Sequence, residues 1–86
     1  MYNTTKEASQ AVRQAMKTLG FKVNVSIVSG SRAVRVVTKT YETKFSEGEK
    51  QVILKQLHSM GFTGVRGTDL SKMLTCDPNQ IEGYLK

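Results

Sequence analysis

The sequence predicts an α+β fold in the order helix, antiparallel β-hairpin, helix and short C-terminal helices (αββααα). Three observations lead to this prediction. Apolar residues recur at helical spacing over residues 4–19 and again over 47–60, and they alternate with polar residues over 21–28. A chain of 86 residues without a linker-like stretch is expected to form one basic domain, residues 1–86.

The first helix is predicted over residues 4–19. Thr4 and Glu7 have the spacing of a capping box, and Gly20 is typical of a residue that ends a helix. The apolar face consists of Ala8, Ala11, Val12, Ala15, Met16 and Leu19. The opposite face is a basic stripe that contains Lys6, Gln10, Arg13 and Lys17. Such a stripe is typical of a solvated face and also of a contact surface.

Residues 21–28 and 31–41 are predicted to pair as a β-hairpin around a two-residue turn at Ser29-Gly30, because glycine accepts the positive φ of such turns. That turn places Val25 opposite Val34 and extends the match of valines along the hairpin. The apolar face is expected to meet the helices. The other face presents Lys22, Asn24, Ser26, Ala33, Arg35, Val37, Lys39 and Tyr41.

The second half of the chain is predicted to be mostly helical. A capping box at residues 46–49 opens a helix over 47–60, and residues 62–67 form a glycine-rich loop or a short strand. A short helix over 69–74 follows, and an Asp-Pro pair then starts a last helix over 79–85. The predicted core is Ala8, Val12, Met16, Leu19, Phe21, Val23, Val25, Val34, Val36, Val52, Ile53, Leu57, Phe62, Leu70 and Leu74.

One short stretch occurs twice in the chain. Residues 18–23 resemble residues 59–65, and each follows an amphipathic helix and has Gly-Phe at its centre. We interpret this similarity as a shared way of ending a helix and entering an extended segment. Two copies are too few to indicate a solenoid.

The composition favours a binding protein over an enzyme. Thirteen Lys and Arg residues against seven Asp and Glu give a formal charge of +6, which favours a polyanionic partner. Cys76 is the single cysteine, so neither an internal disulfide nor a cysteine-based zinc site is expected. His58 is expected to be a lone surface histidine. We therefore predict no catalytic residue, no metal and no cofactor, and a cytoplasmic protein without a signal peptide or membrane span.

Three regions are candidates for nucleic-acid binding. The first is the polar hairpin face, whose cations can pair with phosphates and whose tyrosine can stack on a base. The contacts predicted for nucleic acid are Lys22, Arg35, Lys39, Tyr41 and Arg66, with Arg13 and Lys17 in support.

The second candidate region is residues 64–67, which resemble the G-x-x-G loop of KH domains. The third is the stretch 69–85, which resembles a helix-turn-helix with Asn79 and Gln80 at the front of the reading helix. The same helices also fit a purely structural role.

The first half of the chain has a family resemblance. The matching stretches within residues 4–37 are 4–8, 12–17, 21–25, 29–31 and 34–36. They resemble the small domain associated with large polyvalent proteins of phages and mobile elements. The resemblance implies an α+β fold and a mobile-element origin, and it implies neither an established activity nor any site residue.

These observations lead to two hypotheses for function. The first is a non-enzymatic accessory protein that binds DNA or RNA. The alternative is a phage-encoded protein-interaction module that inhibits a host enzyme or defence complex. The open edge of a two-stranded sheet is also compatible with a homodimer, because it leaves backbone groups unpaired.

Overall fold

A computed structural model of the chain describes residues 4–28, 32–39, 43–69, 73–74 and 77–85. Its elements follow the order α1 (Thr5–Leu19), β1 (Val23–Val28), β2 (Ala33–Thr38), α2 (Glu47–Ser59), β3 (Phe62–Thr68) and β4 (Gln80–Leu85). The fold is α+β, but the predicted αββααα order is wrong, because β4 stands where the last helix was expected. β3 corresponds to the short strand that was one of two alternatives for residues 62–67, and residues 70–72 of the helix predicted over 69–74 lie outside the described residues. In the described part of the chain, neither helix is long and apolar enough to cross a membrane.

Local capping fixes the start of both helices. The side chain of Thr4 accepts a hydrogen bond from the backbone N–H of Glu7 at 3.1 Å. Ser46 and Glu49 form a complete capping box at the start of α2. These bonds satisfy N–H groups that the first turn of a helix leaves without a partner. Gly20 ends α1 with a φ of 85°, a conformation that favours glycine.

The four strands form one antiparallel sheet in the order β1-β2-β4-β3. β1 and β2 form the predicted hairpin, but Val25 pairs with Val36 and not with Val34. The predicted register is therefore wrong by two residues, since the connection between the strands is longer than a two-residue turn. The predicted turn at residues 29–30 lies outside the described residues. A shift of two residues leaves the side chains within the two strands on their predicted faces of the sheet.

Strand β4 replaces the last predicted helix. Val36 pairs with Ile81 on the core side, and Arg35 pairs with Glu82 on the outer side. The Asp77-Pro78 pair is only a local signal for a helix start. It is overridden here because pairing with β2 satisfies the backbone of β4 and buries Ile81, and tertiary context often outweighs local preference.

The two nucleic-acid motifs predicted in this half are also wrong. Asn79 and Gln80 are buried, and β4 begins at Gln80, so they cannot read bases from the front of a recognition helix. Residues 64–67 lie within β3, next to a bulge between Thr63 and Arg66, and do not form a loop between helices.

The core lies between the two helices and one face of the sheet. Its buried members are Ala8, Val12, Met16, Val25, Val34, Val36, Phe45, Ile53, Leu57, Phe62 and Ile81. The core predictions for Leu19, Val52 and Leu74 are wrong, because all three side chains are exposed. Leu70 lies outside the described residues. Phe45 was not predicted, and its N–H donates to the carbonyl of Pro78 at 2.7 Å, which ties the start of α2 to the start of β4.

The topology repeats an α-β-β unit. α1 packs on β1 and β2, α2 packs on β3 and β4, and the strand order is symmetrical about the β2–β4 pair. Gly20 and Gly61 follow α1 and α2 in the two units, and both have positive φ. Aligning these glycines matches buried residues of the helices, Val12 with Ile53 and Met16 with Leu57. The sequence similarity around the two glycines therefore reflects a repeated structural unit.

A glycine substitution in β3 tests the packing of the second unit. A Cβ atom on Gly67 would lie 2.7 Å from Cγ of Pro78. We expect Gly67→Ala to lower the free energy of unfolding by about 1–3 kcal/mol, as overpacking does. Urea denaturation measures this change. The control is Gly48→Ala in α2, where a Cβ would meet nothing within 4 Å. Stability there should stay unchanged or rise by up to about 1 kcal/mol. Equal stabilities of the two variants would contradict the contact between Gly67 and Pro78.

Candidate functional site

A groove of about 430 Å³ lies between α1 and the edge of the sheet formed by β1. The side chains that line it come from α1, from β1 with the two residues before it, and from the end of β2. The described lining residues are Arg13, Met16, Lys17, Phe21, Lys22, Val23, Val25 and Lys39. We call this feature the basic groove.

The sequence brings the four cations of the basic groove together in two pairs. Arg13 and Lys17 are four residues apart on α1 and therefore lie on one side of that helix. Val23 pairs with Thr38 in the hairpin, so Lys22 and Lys39, which flank this pair, lie side by side at the same end of the sheet. At the open edge formed by β1, all four side chains line the same groove.

Hydrogen bonds position two of these cations. Nη2 of Arg13 donates to the backbone carbonyl of Val25 at 3.1 Å, which links α1 to the edge strand. Nζ of Lys39 donates to Oδ1 of Asn24 at 3.1 Å. An arginine has five N–H donors and a lysine has three, so each side chain keeps donors for a ligand.

The basic groove is electrostatically one-sided. Among the described residues that line it, four are cations and none is an acid. All four cationic residues are exposed to solvent. Charges of one sign in a concave surface raise the local concentration of counter-ions, so the groove is suited to an anionic ligand.

The floor of the basic groove is apolar. Met16 and Val25 are buried, and Phe21 and Val23 are half-buried at the edge of the core. A ligand in the groove therefore meets positive charge at the rim and apolar surface beneath it.

A smaller recess of about 130 Å³ adjoins the basic groove. The two share Phe21, Lys22, Val23 and Lys39. We call the smaller one the side recess. Its further lining residues include Lys44 and Glu49, so positive charge extends beyond the groove and then meets an acid.

Two other predicted contacts, Arg35 and Arg66, lie away from the basic groove on the outer face of the sheet. The strand register places both beside Glu82. Nε of Arg66 lies 3.2 Å from Oε1 of Glu82, whose side chain is only 5% exposed. Nε of Arg35 is buried without a hydrogen-bond partner among the described residues. Arg35 lies on the central strand β2 and Arg66 on the edge strand β3, where Arg66 pairs with the buried carboxylate of Glu82.

The sequence predicts the cations of the site but not their grouping. It places Lys22 and Lys39 on the hairpin face and gives Arg13 and Lys17, on a stripe of the first helix, a supporting role, whereas the structure brings these four into one groove. It predicts Phe21 only as a core residue. The signal that could have joined the pairs is the short connection between α1 and β1, which forces the helix to pack over the strand that follows it.

The other side chains considered for base stacking, catalysis or metal binding do not add to the basic groove. Tyr41 and Cys76 lie outside the described residues. His58 is exposed on α2. In the described ranges, no three His, Cys, Asp or Glu residues come close enough together to hold a metal ion.

Comparison with protein-family models, with curated proteins and with solved structures finds no match. The resemblance of residues 4–37 to the phage and mobile-element domain therefore stays a prediction.

Substitution of Arg66 tests its structural role. Arg66→Ala removes the cation beside the buried carboxylate of Glu82, so the free energy of unfolding should fall by about 1–3 kcal/mol. Adding Glu82→Gln should restore part of this loss, because a neutral amide is easier to bury than an unpaired charge. Chemical denaturation measures both variants.

The matched control for this loss of charge is Lys55→Ala, at an exposed position of α2. Its stability should change by less than about 0.5 kcal/mol. If Arg66→Ala were as stable as this control, the ion pair with Glu82 would not stabilise the sheet.

Proposed function

We propose that this protein binds nucleic acid and that the basic groove holds the sugar-phosphate backbone. The observation that supports the proposal is the convergence of four cations, two from α1 and two from the hairpin, on one concave surface. Arginine and lysine are the residues that most often contact phosphate oxygens. The overall charge of +6 favours the same class of partner.

The distribution of charge between the two α-β-β units supports a local site. Alignment of Gly20 with Gly61 gives the second-unit equivalents of Arg13, Lys17 and Lys22. These equivalents are Leu54, His58 and Thr63. The first unit thus has three cations at positions where the second unit has none that is permanently charged. This difference favours a binding site in the first unit over a positive charge spread evenly across the protein.

The proposed contacts set the expected dependence on salt. Each phosphate that is neutralised contributes about 0.7–0.9 to the slope of log K against log salt concentration. Contacts from Arg13, Lys17, Lys22 and Lys39 therefore predict a slope of about −3. Binding should be measurable at low salt and should weaken steeply as salt is added.

We further propose a non-enzymatic accessory role in a phage or mobile element. This part of the proposal rests on the resemblance of residues 4–37 to the small domain of large polyvalent proteins. It concerns origin and context, and the binding proposal does not depend on it.

A second candidate function is binding to a host protein. Met73 and Leu74 are adjacent apolar residues in the connection between β3 and β4, and their exposed fractions are 64% and 72%. Neighbouring apolar side chains with this exposure suit a protein contact. If a host partner were retained after nuclease treatment by the wild type and lost by Met73→Ser/Leu74→Ser, this second function would be favoured.

The groove lysines provide the main test. We expect Lys22→Ala/Lys39→Ala to weaken binding to oligonucleotides by about tenfold or more at low salt, and to reduce the magnitude of the salt slope by about 1.5, because two phosphate contacts are lost. Fluorescence anisotropy over a salt series measures both quantities.

The charge-matched control is Lys6→Ala/Lys55→Ala, which removes two exposed lysines outside the groove. Its affinity should stay close to that of the wild type. If both double variants lost the same affinity, binding would depend on the net charge of the protein and not on the basic groove. An unmodified protein that binds no nucleic acid at low salt would show that the proposed function is wrong.

A further inference from the structure

The apolar floor of the basic groove requires an explanation beyond phosphate binding. Phosphates contact cations at a rim, and they gain nothing from the side chains of Phe21 and Val23 beneath it. Both side chains are half-buried and line the groove. A ligand that covers this floor must have an apolar or aromatic part next to its negative charge.

Phe21 is held in position by the end of α1. Its N–H donates to the carbonyl of Met16 at 3.0 Å, and the N–H of Gly20 donates to the carbonyl of Lys17 at 3.1 Å. This is the hydrogen-bond pattern of a Schellman motif, in which a glycine of positive φ closes the helix. The phenyl ring is therefore presented by a fixed backbone and not by a loop that must be ordered on binding.

Phe21 also lies where the basic groove and the side recess meet, because it lines both. Arg13 and Lys17 line only the groove, and Lys44 lines only the recess. Positive charge is thus available on both sides of the aromatic ring. This is the arrangement that a flexible polyanion needs if it is to place one of its aromatic groups at the ring.

We infer that the basic groove binds single-stranded nucleic acid and seats an unpaired base against Phe21; the inference rests on the proposed function. In a duplex the bases are stacked inside the helix, so only phosphates could reach the groove and its apolar floor would stay in water. A single strand exposes its bases, and stacking on an aromatic side chain is how proteins that bind single strands without sequence preference hold them.

The dimensions suit this ligand. The basic groove measures about 430 Å³, within the range of about 300–1,000 Å³ that is typical of sites for small organic ligands. It is therefore of the size expected for a small organic group such as a nucleotide. The strand would run from Arg13 and Lys17 past Phe21 toward Lys44, and Glu49 in the side recess would limit it by repulsion.

An abasic oligonucleotide separates the role of the bases from that of the phosphates. We would compare a thymidine octamer, an abasic octamer with the same number of phosphates, and a duplex of the same length, all at low salt. The wild-type protein should bind the thymidine octamer about tenfold more tightly than the abasic octamer. The duplex should bind less tightly than the thymidine octamer, because its bases are not free to reach Phe21.

Phe21→Leu tests the ring itself, because leucine keeps an apolar side chain at the edge of the core. This variant should reduce the preference for thymidine over abasic octamer to less than about threefold, while its affinity for the abasic octamer stays unchanged. Phe62→Leu is the matched control: Phe62 is the equivalent aromatic residue of the second unit, it is buried, and it does not line the groove. The control should keep the full preference.

The outcomes distinguish the two proposals. Equal binding of the thymidine and abasic octamers by the wild type would overturn the base-stacking inference and leave phosphate binding by the groove intact. Tighter binding of the duplex than of the thymidine octamer would likewise overturn the base-stacking inference and leave phosphate binding intact. If none of the three ligands bound, both the inference and the proposed function would be wrong. The comparison of ligands uses the unmodified protein, so it decides the inference even if Phe21→Leu does not fold.

Discussion

The pairing of β2 with β4 is the contact on which the rest of the structure depends. It joins residues 33–37 to residues 80–84, and the N–H of Thr38 extends it by donating to the carbonyl of Asn79 at 3.0 Å. Without it, each unit would be a two-stranded hairpin beneath one helix, and isolated two-stranded sheets are marginal in water. With it, the two units share one core and one four-stranded sheet. The same pairing leaves β1 and β3 at the edges of that sheet.

The position of β1 at an edge produces the basic groove. α1 packs over an edge strand, so one side of the helix faces solvent beside the strand, and Arg13 reaches across to the carbonyl of Val25. The cations here disfavour edge-to-edge pairing with a second copy, because such a contact would bring like charges together. The sheet has four strands and not two, and the homodimer stays a prediction. A polyanionic ligand would instead neutralise these cations.

The sequence predicts the first unit and α2 but not β4, for a physical reason. Helix caps and alternating strands are local patterns, so α1 and the hairpin could be recognised, and an error of two residues in the register left the strand faces unchanged. β4 depends on a partner far away in the chain, and its alternation of Ile81 and Gly83 with polar residues was outweighed by the helix-start signal of Asp77-Pro78. For the site, the cations could be named from the sequence. Their convergence could not, because it depends on how α1 packs over β1.

The central claim is that one edge of the sheet, bordered by α1, forms the ligand site. The most direct measurement is a titration of the ¹⁵N-labelled protein with a thymidine octamer, followed by two-dimensional NMR. Our account predicts that the largest shift changes occur at the backbone amides of Arg13, Lys17, residues 21–25 and Lys39, and that the aligned positions of the second unit change little. Changes centred on Arg35 and Arg66, or spread equally over both units, would contradict it.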